Sequence, residues 1–183
     1  MAIQLFFYMF ARVGEIKAIK KADIDFEGKT VYLQSQVLIE RTLNDDLSFS
    51  ARATVVSDRM KGNTSKGYRK QYLTDEAITI IKKAIDLNPD SEYLFQPDGH
   101  MMSSDSFNRR LKKYTGECGV TYKPSRKIRF YNASTAYDGT NLVTVSKLMG
   151  HSQVATTLHY LRGVNKDSDQ ILAYQNLGLA AKS

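Results

Sequence analysis

Cysteine is nearly missing from this chain: Cys118 stands alone among 183 residues. No disulfide can form within the chain, and a reducing cytoplasm is its natural home. A lone Cys followed by Gly119 reads as a packed or surface thiol sooner than as a nucleophile. Histidine is scarce too. His100, His151 and His159 lack the spacing and the Cys/His company of a zinc site, so no metal is expected. Proline (3) and glycine (11) are few. No linker rich in Pro, Gly or Ser interrupts the chain, and no internal repeat divides it. Collagen-like, low-complexity and disordered classes are thereby excluded. Long apolar runs are also absent. The opening MAIQLFFYMF is too short to span a membrane and lacks the charged start of a signal peptide. It reads as a buried helix. A chain that begins so abruptly in a core helix is expected to be part of something longer.

What is present suits one domain with a proper core: 42% hydrophobic and 25% charged residues. The net charge is +7 and the pI about 9.4, a balance that favours a polyanionic partner. The charge is concentrated. One cluster runs through Arg59, Lys61, Lys66, Arg69 and Lys70. Another runs through Arg109, Arg110, Lys112, Lys113, Lys123, Arg126, Lys127 and Arg129. Clusters of this kind can neutralise several phosphates and release their counterions.

Periodicity places helices at 2–11 and 14–21, then strands near 30–33, 37–39, 53–56 and 68–73. The polar stretch 40–52 reads as a loop or hairpin tip. Thr74 caps a helix over 75–87, and Asn88-Pro89 stops it. Further helices are expected at about 105–117, 126–137, 143–149, 153–161 and 167–177. The layout predicts a mainly helical α+β domain with a small antiparallel sheet.

The strongest signal lies near the end, in Leu148-Met149-Gly150-His151-Ser152-Gln153-Val154-Ala155-Thr156-Thr157-Leu158-His159-Tyr160. This segment resembles the signature of the phage integrase, or tyrosine recombinase, family, in which a Gly-His pair precedes the nucleophilic tyrosine by nine residues. Phe10-Ala11-Arg12-Val13-Gly14-Glu15-Ile16 resembles the family's first arginine motif. Ser125-Arg126-Lys127-Ile128-Arg129 resembles its second, usually His-x-x-Arg. Ser65-Lys66-Gly67-Tyr68-Arg69 falls where the family carries a lysine on a β-hairpin, with Lys61 the alternative under another register. The sequence departs from the pattern at Arg126, which replaces a histidine, and at Phe130.

The resemblance implies the family's catalytic-domain fold over 1–183, with a small three-stranded sheet on one side. It implies DNA cleavage and rejoining through a 3′-phosphotyrosine, without a cofactor. Tyr160 would attack, Arg12 and Arg129 would hold the scissile phosphate, and His151 would assist. Lys66 would protonate the leaving oxygen, and Arg126 would stand in for the usual histidine. Lys61, Arg69 and Lys127 are expected to contact DNA. The partner is double-stranded DNA, engaged by a homotetramer; the domain alone is expected to be a monomer. The segment 166–183 would be an exchange element between protomers, and a core-DNA-binding domain would precede residue 1. The alternative is a catalytically impaired member that binds DNA without cutting it. A type IB topoisomerase shares the chemistry, but the Gly150-His151 context argues for an integrase.

The residue types suit this chemistry on physical grounds. Guanidinium is always charged, and its planar fork matches phosphate oxygens. Paired arginines can therefore stabilise the extra charge of a pentavalent transition state. A tyrosine hydroxyl has a pKa near ~10, and adjacent positive charge lowers it towards a useful nucleophile. Arg126 cannot act as a base at neutral pH, because guanidinium stays protonated there.

Overall fold

The computed structural model describes residues 1–58, 68–96 and 99–161, with the backbone alone at 159 and 160. Lys61, Lys66 and the helix expected over 167–177 lie outside the described residues. Seven helices and five strands are described: α1 (Ala2–Phe7), α2 (Val13–Lys17), β1 (Ile24–Asp25), β2 (Thr30–Leu33), β3 (Gln36–Glu40), β4 (Ala53–Ser57), β5 (Arg69–Tyr72), α3 (Asp75–Leu87), α4 (Ser104–Glu117), α5 (Arg126–Gly139), α6 (Leu142–Met149) and α7 (Val154–Tyr160).

Capping explains several helix limits. Thr74 accepts a hydrogen bond from the Ala77 amide (3.2 Å) at the start of α3, with Asp75 and Glu76 in its first turn. Ser103 does the same for α4 through Ser106 (3.1 Å), and Asn141 for α6 through Thr144 (2.9 Å). Each cap satisfies an amide that the helix leaves without a partner, and the acidic first turn complements the helix dipole.

Strands β1, β2 and β5 form an antiparallel sheet in the order β1-β2-β5, which is the three-stranded sheet the family resemblance implied. Strands β3 and β4 form a separate two-stranded ribbon, paired from Gln36↔Ser57 to Glu40↔Ala53. The break comes at Gln34 and Ser35. Gln34 donates to Asp23, and Ser35 Oγ donates to the Ala18 carbonyl (3.2 Å), so the chain is tied down behind α2 before it re-enters a strand. Gly14 makes that seat fit, since a Cβ there would lie 2.8 Å from the Val37 carbonyl oxygen.

The helix expected over 2–11 is shorter, ending at Phe7. Tyr8–Ala11 leave the helix because Phe10 is claimed by long-range partners, described below. The second helix also ends early, at Lys17, and a short 3₁₀ turn (Lys21–Asp23) follows.

Two apolar clusters result. The larger one joins α1, α2, the three-stranded sheet, α3 and α4 around Leu5, Phe6, Ile16, Val31, Ile81 and Phe107. The smaller one holds Ala133, Val145, Met149 and Leu161. Helix α5 serves both, with Ile128 in the first and Ala133 in the second.

Lys17 is fully buried on α2, where its ammonium donates to Ser104 Oγ (3.1 Å). Burial pushes its pKa down to about 8, and Asp105 opposes the shift. The unfolded chain, with a normal lysine, holds its proton more tightly. Stability therefore rises with pH between about 8 and 10.5, and the cost of the buried charge is fully present at pH 7. Lys17→Met is expected to stabilise the protein by ~1–4 kcal/mol at pH 7 in urea unfolding, the gain fading as pH rises from about 8 to 10.5. A loss of stability in that variant would show that the ammonium is a net contributor.

Candidate functional site

The site is built where four chain segments meet. Arg12 occupies the N-cap position of α2 in extended backbone. Glu15, three residues on, reaches back with one carboxylate oxygen to the Arg12 amide (2.7 Å) and with the other to the Arg12 guanidinium (2.7 Å). That is the reciprocal half of a capping box, with an arginine held in the same grip. Glu15 has no solvent exposure at all, whereas the Arg12 side chain keeps 26%.

Arg129 projects from the first turn of α5 and is buried. Its guanidinium donates to the Phe10 carbonyl (3.2 Å) and to the Met149 carbonyl, and lies 3.9 Å from Glu15. The last of these carbonyls belongs to the end of α6, where helix geometry leaves oxygens without internal partners and favours a cation.

His151 follows α6 directly. Gly150 adopts the left-handed conformation (φ 63°, ψ 43°). The His151 amide returns to the Ser146 carbonyl (3.1 Å) and the Gly150 amide to Lys147 (3.0 Å). This paired closure ends the helix and turns the chain sharply. The imidazole Nδ1 then shares a hydrogen bond with Thr157 Oγ1 on α7 (2.9 Å). Burial, and then the positive charge of Arg129, Arg12 and Arg69, push the His151 pKa down to about 4, with Glu15 opposing. At neutral pH the ring is uncharged, with one N–H and one lone pair.

Arg12, Arg126, Arg129 and His151 line one cavity of about 490 Å³. Of these, Arg126 is exposed and Arg129 buried. Beneath the cavity, the guanidiniums of Arg12, Arg69 and Arg129 surround the single carboxylate of Glu15. The positive excess is thus built in and partly desolvated, which is where it acts most strongly on an anion.

Two expected site residues are placed differently from one another. Lys127 is exposed, with its ammonium 4.9 Å from the centre of the Phe130 ring. Arg69, expected to contact DNA, faces inward instead. Its side chain is 15% exposed, and its guanidinium bonds Glu15 (2.7 Å), the Phe10 carbonyl (3.2 Å) and the Leu148 carbonyl. The reason is register. Arg69 sits opposite Leu33 and Gln71 opposite Val31, on the face of β5 that the buried side of β2 shares. Alternation along Arg69-Lys70-Gln71-Tyr72 was the available signal. Gln71, unremarked in the sequence, accepts from the Phe10 amide (3.2 Å) and donates to the Leu148 carbonyl (3.3 Å).

Tyr160 ends α7, one turn beyond Thr157, and the next residue, Leu161, anchors in the smaller apolar cluster. Among the described residues, no group of three His, Cys, Asp or Glu side chains is placed to hold a metal ion. None of their helices is long and apolar enough to cross a membrane.

The protonation of His151 has a measurable consequence. Its folded pKa of about 4 lies below the usual imidazole value of 6.5. As pH falls from 6.5 towards 4, the unfolded chain takes up a proton that the folded site refuses, and stability declines through that window. His151→Gln is expected to remove this part of the decline. Melting temperatures of both proteins from pH 7 to pH 4.5 provide the check, and parallel curves would refute it.

Comparison with known proteins gives a consistent picture. Residues 1–166 match the phage integrase family. The tyrosine recombinase XerC-like protein of Caldanaerobacter subterraneus subsp. tengcongensis is 25% identical over 162 residues, covering 80% of this chain and 40% of that protein. Tyrosine recombinase XerA of Saccharolobus solfataricus is 26% identical over 106 residues, covering 57% of this chain and 35% of the relative. The chain therefore spans at most about two fifths of the curated relatives it matches. Among solved structures, the Tn1549 transposon integrase in complex with circular intermediate DNA superposes with a TM-score of 0.70 at 20% identity, over 95% of this chain and 58% of that one. The crystal structure of XerA recombinase superposes at 0.67 and 20% identity, over 96% of this chain and 55% of that one.

Proposed function

We propose, from the premise that the chain belongs to the phage integrase family, that it carries the catalytic centre of a site-specific DNA recombinase. The observation that supports this best is the convergence on one cavity of Arg12 with Arg129 and His151, both more than a hundred residues further along the chain. The Tn1549 integrase resembled by this fold was solved in complex with DNA, and double-stranded DNA is the polyanion assigned here.

In this reading the scissile phosphate enters the cavity. Arg12 and Arg129 donate to its nonbridging oxygens and hold the charge that builds up in the pentavalent transition state. Neutral His151 contributes an N–H to the same oxygens. The Tyr160 hydroxyl gives up its proton to a neighbouring acceptor as its oxygen attacks phosphorus, the bond to the 5′-oxygen breaks, and that oxygen takes a proton from Lys66, or from Lys61 in the alternative register. The 3′-phosphotyrosine keeps the energy of the broken diester, so the reverse attack by a 5′-hydroxyl rejoins the strand without ATP. Arg126, at the cavity rim, adds a further guanidinium to the phosphate where the family usually has histidine. Lys127 contacts the backbone beside it. Recombination would take a homotetramer on paired sites, in the cytoplasm where the DNA lies.

A suicide substrate tests the assignment: a nicked duplex carrying the protein's own recombination site, offered to the full-length protein. A covalent protein–DNA adduct is expected, and Tyr160→Phe is expected to abolish it. Binding with no adduct in the unaltered protein would favour the second reading, a member that holds DNA without cutting it. The Arg126 and Phe130 departures motivate that reading.

A further inference from the structure

We propose that Arg69 is a positioning residue for His151: from β5 it fixes the end of α6, and with it the imidazole, against the segment that carries Arg12. The inference rests on the functional reading above.

Among the described residues, β5 is an edge strand, paired only with β2. Its inward side chains serve an unusual purpose. Arg69 and Gln71 both reach Phe10, two residues before Arg12, and both reach the Leu148 carbonyl, three residues before His151. They lace together two segments that lie more than a hundred residues apart. Arg69 also binds Glu15 (2.7 Å), which grips Arg12. One guanidinium therefore connects both sides of the cavity.

Only arginine suits the position. Its acceptors are a carboxylate and two carbonyls lying in different directions, and the planar fork carries five N–H groups in fixed orientation. Lysine keeps the charge but presents a single nitrogen on a flexible stem.

The turn that carries His151 is shaped around this side chain. A Cβ on Gly150 would lie 2.7 Å from Arg69 Nε and 3.0 Å from its Cδ. The left-handed backbone at Gly150 disfavours a side chain independently. The guanidinium thus lies directly under the peptide that precedes His151. At 15% exposure it is not a surface contact for DNA.

The test uses the 183-residue protein, NMR of the His151 ring and inorganic phosphate as the probe of the cavity. Among the described residues, the charged groups acting on the ring include Arg129, Arg12, Arg69 and Glu15. In Arg69→Lys these charges remain, but the lacing is lost. The His151 titration is expected to move from about 4 towards the ordinary imidazole range. Phosphate binding, read from the same resonance, is expected to weaken about tenfold, the scale of one misplaced charged hydrogen bond. A role confined to stability would lower the melting temperature and leave both readouts in the folded protein unmoved, and that result overturns the proposal. Should Arg69→Lys not fold, Gly150→Ala displaces the guanidinium from the other side with its charge intact. The same readouts must then move, and unchanged values overturn the proposal equally. Neither readout needs DNA cleavage. Failure of the unaltered protein to form an adduct would sink the recombinase reading and leave this measurement standing.

Discussion

Arg12→Ala is expected to lower the single-turnover rate of adduct formation by about 10²–10³ while the protein stays folded. The two halves of that expectation have separate physical grounds. Removing a preorganised donor from a developing oxyanion forfeits an interaction that is strongest in the transition state. The fold tolerates the loss because Glu15 is not abandoned. It keeps Arg69 at 2.7 Å and Arg129 at 3.9 Å, and its bond to the backbone amide of residue 12 does not depend on the side chain. Arg12 is also the more exposed partner, so its removal opens no deep void. Burst-phase cleavage of the suicide duplex, set beside a thermal melt, measures both. An unchanged cleavage rate would remove Arg12 from the chemistry. A large fall in melting temperature would mean that the arginine holds the helix more than the phosphate.

Glu15→Ala is expected to have the opposite profile. The carboxylate is wholly buried among three guanidiniums, and without it Arg12, Arg69 and Arg129 repel one another in a desolvated space. Breaking a buried ion pair by removing one partner typically costs ~3–5 kcal/mol. For a domain of this size that is a fall of about 10 °C in melting temperature. The N-terminus of α2 also loses its reciprocal cap. Glu15→Gln, which keeps an acceptor for the Arg12 amide, should lose less. If Glu15→Ala melted like the unaltered protein, the guanidiniums would have to be neutralised by something other than this carboxylate.

The contrast between these residues shows what a sequence can and cannot reveal. Helix α3 was fully legible, because its limits are written locally: Thr74 caps it, Ile81 and its neighbours repeat at helical spacing, and Asn88-Pro89 ends it. Helix α1 was overextended for the complementary reason. Nothing within Met1–Phe10 breaks an apolar helix. The chain leaves it to deliver the Phe10 amide and carbonyl to Gln71, Arg69 and Arg129, partners up to 119 residues away. No local window contains them. The strands of the β3–β4 ribbon were read, with 40–52 as a loop or hairpin tip, but their separation from the three-stranded sheet was not, because the tether at Ser35 depends on a carbonyl in the preceding helical region. In the site, motif spacing marked Arg12, Arg129 and His151, and the structure brings all three to one cavity. Arg69 was misplaced because a basic residue in a basic stretch looks solvated. Its burial follows from strand register, and a lone arginine does not advertise a carboxylate 54 positions earlier.

Among the described residues, the division of the interior into two unequal apolar clusters bears on how heat would act on this protein. Met149 and Leu161, which seat the segments before and after His151 and Tyr160, belong to the smaller cluster. Elements backed by few buried contacts open at lower free energy than the bulk of a domain. Warming would therefore loosen α7 and the turn that carries His151 while the sheet, α3 and α4 still stood. That loosening would precede global denaturation, and on cooling the larger cluster would be the template on which the smaller one re-forms.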